Sequence, residues 1–195
     1  MTLILASKSQ SRRAMLDAAG VEYRSIPTDL DERAVEAELD NCTAGELAEA
    51  LSVAKAHAVS SQFPDDLVLG SDSLVVCDGR RFDKPASRES AAEHLRFFSG
   101  KVMELHSAAA LLRAHSCEWS HSECAKLFVR ELSEGFIRSY LDAEWPEVGH
   151  CVGVFRIEAR GVQLFEGIEG SHFTISGMPL LPLLGALREY GAMPA

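Results

Sequence analysis

The sequence predicts an α/β fold: a mixed, elongated β-sheet flanked by helices. Three observations carry this. Apolar runs of strand length alternate with capped segments of helix length through the first half of the chain. Two long strand-like runs, Val102 to Leu112 and Trp119 to Arg130, then follow one another across a short break, which favours paired strands over another crossover. The chain has 195 residues, 47% of them hydrophobic and 25% charged, enough for one sizeable core.

The elements follow in order. Thr2 to Ala6 reads as a buried strand and Arg12 to Ala19 as a helix stopped by Gly20. Val21 to Ile26 alternates like a half-buried strand, ended by Pro27. An acidic stretch, part loop and part short helix, precedes Thr43, which caps a helix running to about Gln62; Glu46 completes a capping box. Pro64-Asp65-Asp66 is a turn. Leu67 to Leu69 and Leu74 to Cys77 are strand-like, interrupted by "GSDS", and Asp78-Gly79 is a tight-turn signal. Ser87 and Ser90 open a helix that ends at Ser99-Gly100. After the two long strands, Ser133 caps a helix to about Leu141. Val152 to Ile157 and Val162 to Ile168 are expected to pair as strands, and Leu180 to Tyr190 forms the last helix.

The totals exclude some function classes. Lys plus Arg is 19 against 29 for Asp plus Glu, a net charge of −10, which argues against a broad nucleic-acid surface. A local cationic pocket is still allowed. The five cysteines are odd in number, scattered and free of CxxC, as in a reduced cytoplasmic protein. No leader pattern opens the chain, and no apolar run approaches the ~20 residues of a membrane span.

Two stretches draw attention as chemistry. In "SKSQSRR", a strand end passes into a helix start, where free backbone N–H groups and the helix dipole favour an anion. Ser7, Ser9 and Ser11 add donors; Arg12 and Arg13 add forks that match phosphate oxygens. The plainer alternative is an N-cap serine followed by two solvated arginines. The stretch is neither a P-loop nor a dinucleotide fingerprint. In "LVLGSDSLVV", Gly70 permits close approach of another group. Asp72 in an apolar run needs a partner or a metal, unless it only makes a turn. Lys55 lies on an otherwise apolar helix, where snorkelling is the plain reading. Lys84 precedes Pro85 and reads equally as a loop lysine. Glu32 closes the acidic "DLDE", and Glu158 ends "VGVFRIE". His115, Cys117, His121 and Cys124 are zinc-type residues at a spacing that matches no common finger.

Taken in order, "LILASKSQSRRAML", "DLDE", "AKAHAV", "LGSDSLVV", "DKP", "FFSGKV", "GVFRIEARGVQLFEGIEG" and "ISGMPL" resemble the Maf family of nucleoside triphosphate pyrophosphatases over nearly the whole chain. The resemblance implies one Maf-like domain over 1–195, with two lobes and a central cleft. It implies hydrolysis of a nucleoside triphosphate to monophosphate and pyrophosphate with a divalent cation, Mg²⁺ or Mn²⁺, and the family suggests a homodimer. Carried over, Asp72 is the proton acceptor and Glu32 the acidic position after the second strand; the expected mechanism has Asp72, with Glu32, hold the metal. Ser7, Ser9, Arg12, Arg13, Lys55 and Lys84 surround the phosphates. The chain departs from many members by an extra residue before the arginine pair, by "GSDS" for GADT and by Glu158 where they carry Gln. These departures resemble the branch that prefers 7-methyl-GTP over dTTP and UTP, and they put specificity on Ser11, Ser73 and Glu158. A carboxylate accepts well from a guanine N1–H and amino group. A dTTP/UTP pyrophosphatase of the same family is one alternative; nucleotide binding without turnover, in division control, is the alternative from another functional class.

Overall fold

The computed structural model describes residues 2–39 and 41–194. Its strands are β1 (Leu3–Leu5), β2 (Arg24–Ser25), β3 (Leu67–Cys77), β4 (Arg80–Phe82), β5 (Val102–Arg113), β6 (Ser116–Val129) and β7 (Phe165–Glu169). Its helices are α1 (Gln10–Ala18), α2 (Glu32–Ala37), α3 (Ala44–Ser60), α4 (Arg88–Phe98), α5 (Glu134–Glu144), α6 (His172–Ile175) and α7 (Leu180–Glu189). The strands pair in the order β2-β1-β3-β5-β6-β7, with β4 against β3. β1 is parallel to both β2 and β3, whereas β4 and β7 pair antiparallel with β3 and β6, so the sheet is mixed as expected.

The chain divides into two compact units. The first comprises residues 1–73, 106–123 and 172–195. Here strand alternation sorts side chains onto two faces. Leu3, Leu5, Leu67, Leu69, Ala109 and Leu111 pack with Leu16 of α1 and Leu183 and Leu187 of α7. Ile4, Ala6, Val68, Ala110 and Leu112 pack with Ala56 and Val59 of α3. Strand residues buried on both faces explain why "LILA" and "LVL" carry unbroken apolar runs. The helix starts follow the serine and threonine signals: Ser9 caps α1, and Thr43 caps α3 with the reciprocal Glu46 box.

The second unit comprises residues 74–105 and 124–171. Asp78 and Gly79, both at positive φ, turn β3 into β4, a short strand absent from the sequence reading. Phe82 sits among Phe97, Phe98 and His94, and Arg80 and Lys101 lie over the Phe97 ring. Arg96 pairs with Glu134 and Arg88 with Asp142, tying α4 to α5. Ser87 and Ser133 cap these helices as the sequence indicates.

Two expectations are corrected. β3 is one continuous strand, not two runs broken at "GSDS": Gly70, Ser71 and Asp72 are all buried, and their polar groups find partners that let the strand continue. Val152 to Ile157 is not a strand. Val154 takes a positive φ, its carbonyl accepts the Tyr140 hydroxyl at 2.9 Å, and the apolar residues anchor turns rather than a ladder. Only Phe165–Glu169 is a strand, and it pairs with β6 instead. Among the described residues, no helix is long and apolar enough to cross a membrane.

Candidate active site

The site in the first unit starts from α3 resting on β3. An added Cβ at Gly70 would stand 2.0 Å from the Ser52 carbonyl oxygen and 2.7 Å from the Ala56 nitrogen. Only glycine admits that approach. Lys55 immediately precedes Ala56 in this contact, and Asp72, two residues after Gly70 and on the same face, meets its ammonium. Lys55 Nζ lies 2.5 Å from Asp72 Oδ1 and 2.8 Å from Glu32 Oε1. Lys55 and Asp72 side chains are only 13% and 9% exposed, while Glu32, in the first turn of α2, is 47% exposed. The pair is therefore weakly screened on the strand side and open to solvent on the Glu32 side. Two carboxylate oxygens converge on one cation. That is the hard-oxygen donor chemistry that Mg²⁺ and Mn²⁺ prefer, so these residues fit such an ion.

Arg12 occupies the other face of the strand. It is buried, its Nε donates to the Gly177 carbonyl at 2.9 Å and NH1 to the Ser71 carbonyl at 2.8 Å. NH2 donates to Ser73 Oγ at 3.1 Å, and NH1 also reaches Ser7 Oγ at 3.5 Å. Burial lowers its pKa, and the Asp72 and Glu32 carboxylates oppose that shift. Five N–H groups less these four contacts leave one for a ligand. Arg13, one residue on, is exposed. Ser9 Oγ accepts the Arg12 backbone N–H and pairs with Ser11 Oγ at 3.0 Å, while the Ser9 N–H donates to Ser7 Oγ at 3.1 Å. The three serines thus build the entrance to α1 before they meet anything else.

Ser73 is held by a buried hydroxyl chain: it lies 2.9 Å from Ser107 Oγ, which donates to the Thr174 carbonyl at 2.8 Å. Gly177, Ser107 and Thr174 were not singled out by sequence reasoning as site residues, although Gly177 stands in the quoted "ISGMPL". Hydroxyls in a strand carry no pattern that marks them as one network.

Lys84 and Glu158 belong to the second unit and are both exposed, Lys84 just ahead of the buried Pro85. They act on a common neighbour. Burial raises the Cys151 thiol pKa, Glu158 raises it further, and Arg156 and Lys84 oppose the rise. Arg156 itself pairs with the buried Glu144 at 2.9 Å. The zinc-type residues do not gather as one set: among the described residues, His115, Cys117, His121 and Cys124 form no common ligand group.

A model of the Maf-like protein family matches residues 2–190. The chain belongs to the Maf-like protein family. Among its Maf-like relatives, a Nitrobacter hamburgensis protein named nucleoside triphosphate pyrophosphatase is 44% identical, covering 98% of this chain and 95% of that protein. A Rhizobium etli protein named 7-methyl-GTP pyrophosphatase is 45% identical, covering 98% of this chain and 97% of that protein. A Staphylococcus aureus Ham1 protein structure aligns with this Maf-like chain at a TM-score of 0.49 and 14% identity, covering 98% of this chain and 100% of that one.

Proposed function

We propose that the protein hydrolyses a nucleoside triphosphate to nucleoside monophosphate and pyrophosphate, with 7-methyl-GTP as the preferred substrate. The observation that carries the reading is the Lys55 ammonium shared by Asp72, in the middle of the buried strand β3, and Glu32. Full-length relatives bearing the two pyrophosphatase names support it.

In this mechanism Asp72 takes the proton of the attacking water. Lys55 contacts its Oδ1 and not its Oδ2, so Oδ2 is the oxygen that receives that proton, with Oδ1 left to a cation. The water oxygen bonds to the α-phosphorus, the bond from that phosphorus to the bridging oxygen breaks, and pyrophosphate leaves. Arg13, Lys55 and Lys84 neutralise the charge of the phosphates; Arg12 contributes its one remaining N–H and holds the Asp72 strand in place. Asp72 and Glu32 would hold Mg²⁺ or Mn²⁺, which supplies charge neutralisation at the phosphate oxygens. Ser7 and Ser9 shape the anion-facing start of α1. Ser11, Ser73 and Glu158 set the choice of base, Glu158 by accepting from a guanine edge.

The test is pyrophosphate release from a panel of nucleoside triphosphates, including 7-methyl-GTP, GTP, dTTP and UTP, with Mg²⁺ or Mn²⁺. Fastest release from 7-methyl-GTP is expected. Faster release from dTTP and UTP would reject the base preference and keep the reaction. Binding without release from any nucleotide would reject the reaction in favour of a regulatory nucleotide site.

A further inference from the structure

We propose that Lys55 and the divalent cation compete for the same two carboxylate oxygens, so that metal loading releases Lys55 toward the nucleotide phosphates. The inference rests on the pyrophosphatase reading only where that reading lets Asp72 and Glu32 hold a metal.

Lys55 Nζ sits within direct contact of Asp72 Oδ1 and Glu32 Oε1 together. A cation bound by those oxygens would stand beside the ammonium, in surroundings where Asp72 and Lys55 are nearly buried and repulsion between like charges is weakly screened. Both cannot hold the pair at full strength. Of the cations nearby, Arg12 cannot yield, because its guanidinium is fastened to the carbonyls of Gly177 and Ser71. Among the described residues the Lys55 ammonium contacts Asp72 and Glu32 alone, and its four-carbon stem is flexible, so it is the cation that moves. The Gly70 contact fixes the base of that stem, not its tip. The lysine would therefore serve twice. Without metal it neutralises a carboxylate pair that would otherwise repel itself; with metal it becomes a free positive charge beside the same two carboxylates.

The experiment titrates Mn²⁺ into the nucleotide-free full chain, read by electron paramagnetic resonance of the free ion or by calorimetry. Lys55→Met should bind Mn²⁺ about tenfold more tightly than the wild type, because a competing charge is gone. Lys55→Arg, which keeps the charge, should not gain affinity, and Asp72→Asn in the Lys55→Met background should lose it. Lys55→Gln provides a second neutral variant should Lys55→Met fold poorly. A neutral variant that binds Mn²⁺ no more tightly than the wild type overturns the proposal. So does an equal gain in Lys55→Arg, which would trace the effect to packing rather than charge. No nucleotide enters this titration. Absent turnover with the Mn²⁺ competition intact would sink the pyrophosphatase reading alone, and normal turnover with no competition would sink this inference alone.

Discussion

Arg12 Nε donates to the carbonyl oxygen of Gly177 at 2.9 Å, joining positions 165 residues apart. The same guanidinium holds the Ser71 carbonyl and the Ser73 hydroxyl. Arg12→Lys keeps the charge but cannot reach three acceptors in one plane. It should cost about 2–4 kcal/mol of stability, since buried acceptors are left unpaired, and urea denaturation measures it. A loss of turnover with unchanged stability would instead make Arg12 chiefly a phosphate ligand.

Gly70 is the contact on which the Lys55–Asp72 pair depends. A Cβ there meets backbone atoms of α3, which cannot swing aside as a side-chain tip could. Gly70→Ala should destabilise by about 3 kcal/mol or more. Where it folds, the displaced helix should also lower activity. Chemical denaturation and pyrophosphate release on the same sample read both.

Asp72→Asn removes the proposed proton acceptor and leaves the side chain's shape unchanged. Turnover should fall by about 10²–10⁴-fold. Circular dichroism should match the wild type. Undiminished release would show that another group accepts the proton.

Glu158 is exposed in the second unit, and its proposed work is discrimination, not chemistry. Glu158→Gln should lower kcat/KM for 7-methyl-GTP relative to UTP by about 10-fold or more, the scale of one lost hydrogen bond to a charged acceptor. Competition between the two nucleotides in one reaction measures that ratio directly, and an unchanged ratio removes Glu158 from base selection.

His94 lies edge-on to Phe82 with ring centroids 5.1 Å apart. Burial first, then Arg80, pushes its pKa below the ordinary 6.5, against smaller opposing effects of Glu93 and Asp83. The folded state therefore prefers the neutral ring. As pH falls below 6.5 the unfolded chain takes the proton first, so the His94 contribution is complete above that pH and is lost as pH drops through the depressed folded value. The Tm of the wild type should fall more between about pH 7.5 and about pH 5.5 than that of His94→Phe, which has no such proton to bind.

Much of this was legible in the sequence because it is local. Caps at Thr43, Ser87 and Ser133 and the Asp78-Gly79 turn are written in residues that touch one another in the chain. The unbroken apolar runs of β1 and β3 mark strands covered on both faces. What escaped depends on distant partners. "GSDS" looked like a break because the groups that satisfy it, Lys55, Ala108 and Gly177, come from far along the chain. Val152 to Ile157 looked like a strand because turn anchors and strand residues can be equally apolar. Arg12 reads as a phosphate fork, and its four partners are backbone carbonyls and serine hydroxyls that no motif records.

In β3, Gly70 and Asp72 face α3, while Ser71 and Ser73 face Gly177. Because the side-chain period is two, one residue gained or lost between Leu67 and Ser73 would exchange the carboxylate with a hydroxyl and put a side chain where the helix needs none. The length of this segment is thus less negotiable than its composition. Insertion and deletion scanning should find an intolerant window there, set inside a chain whose exposed turns accept extra residues freely.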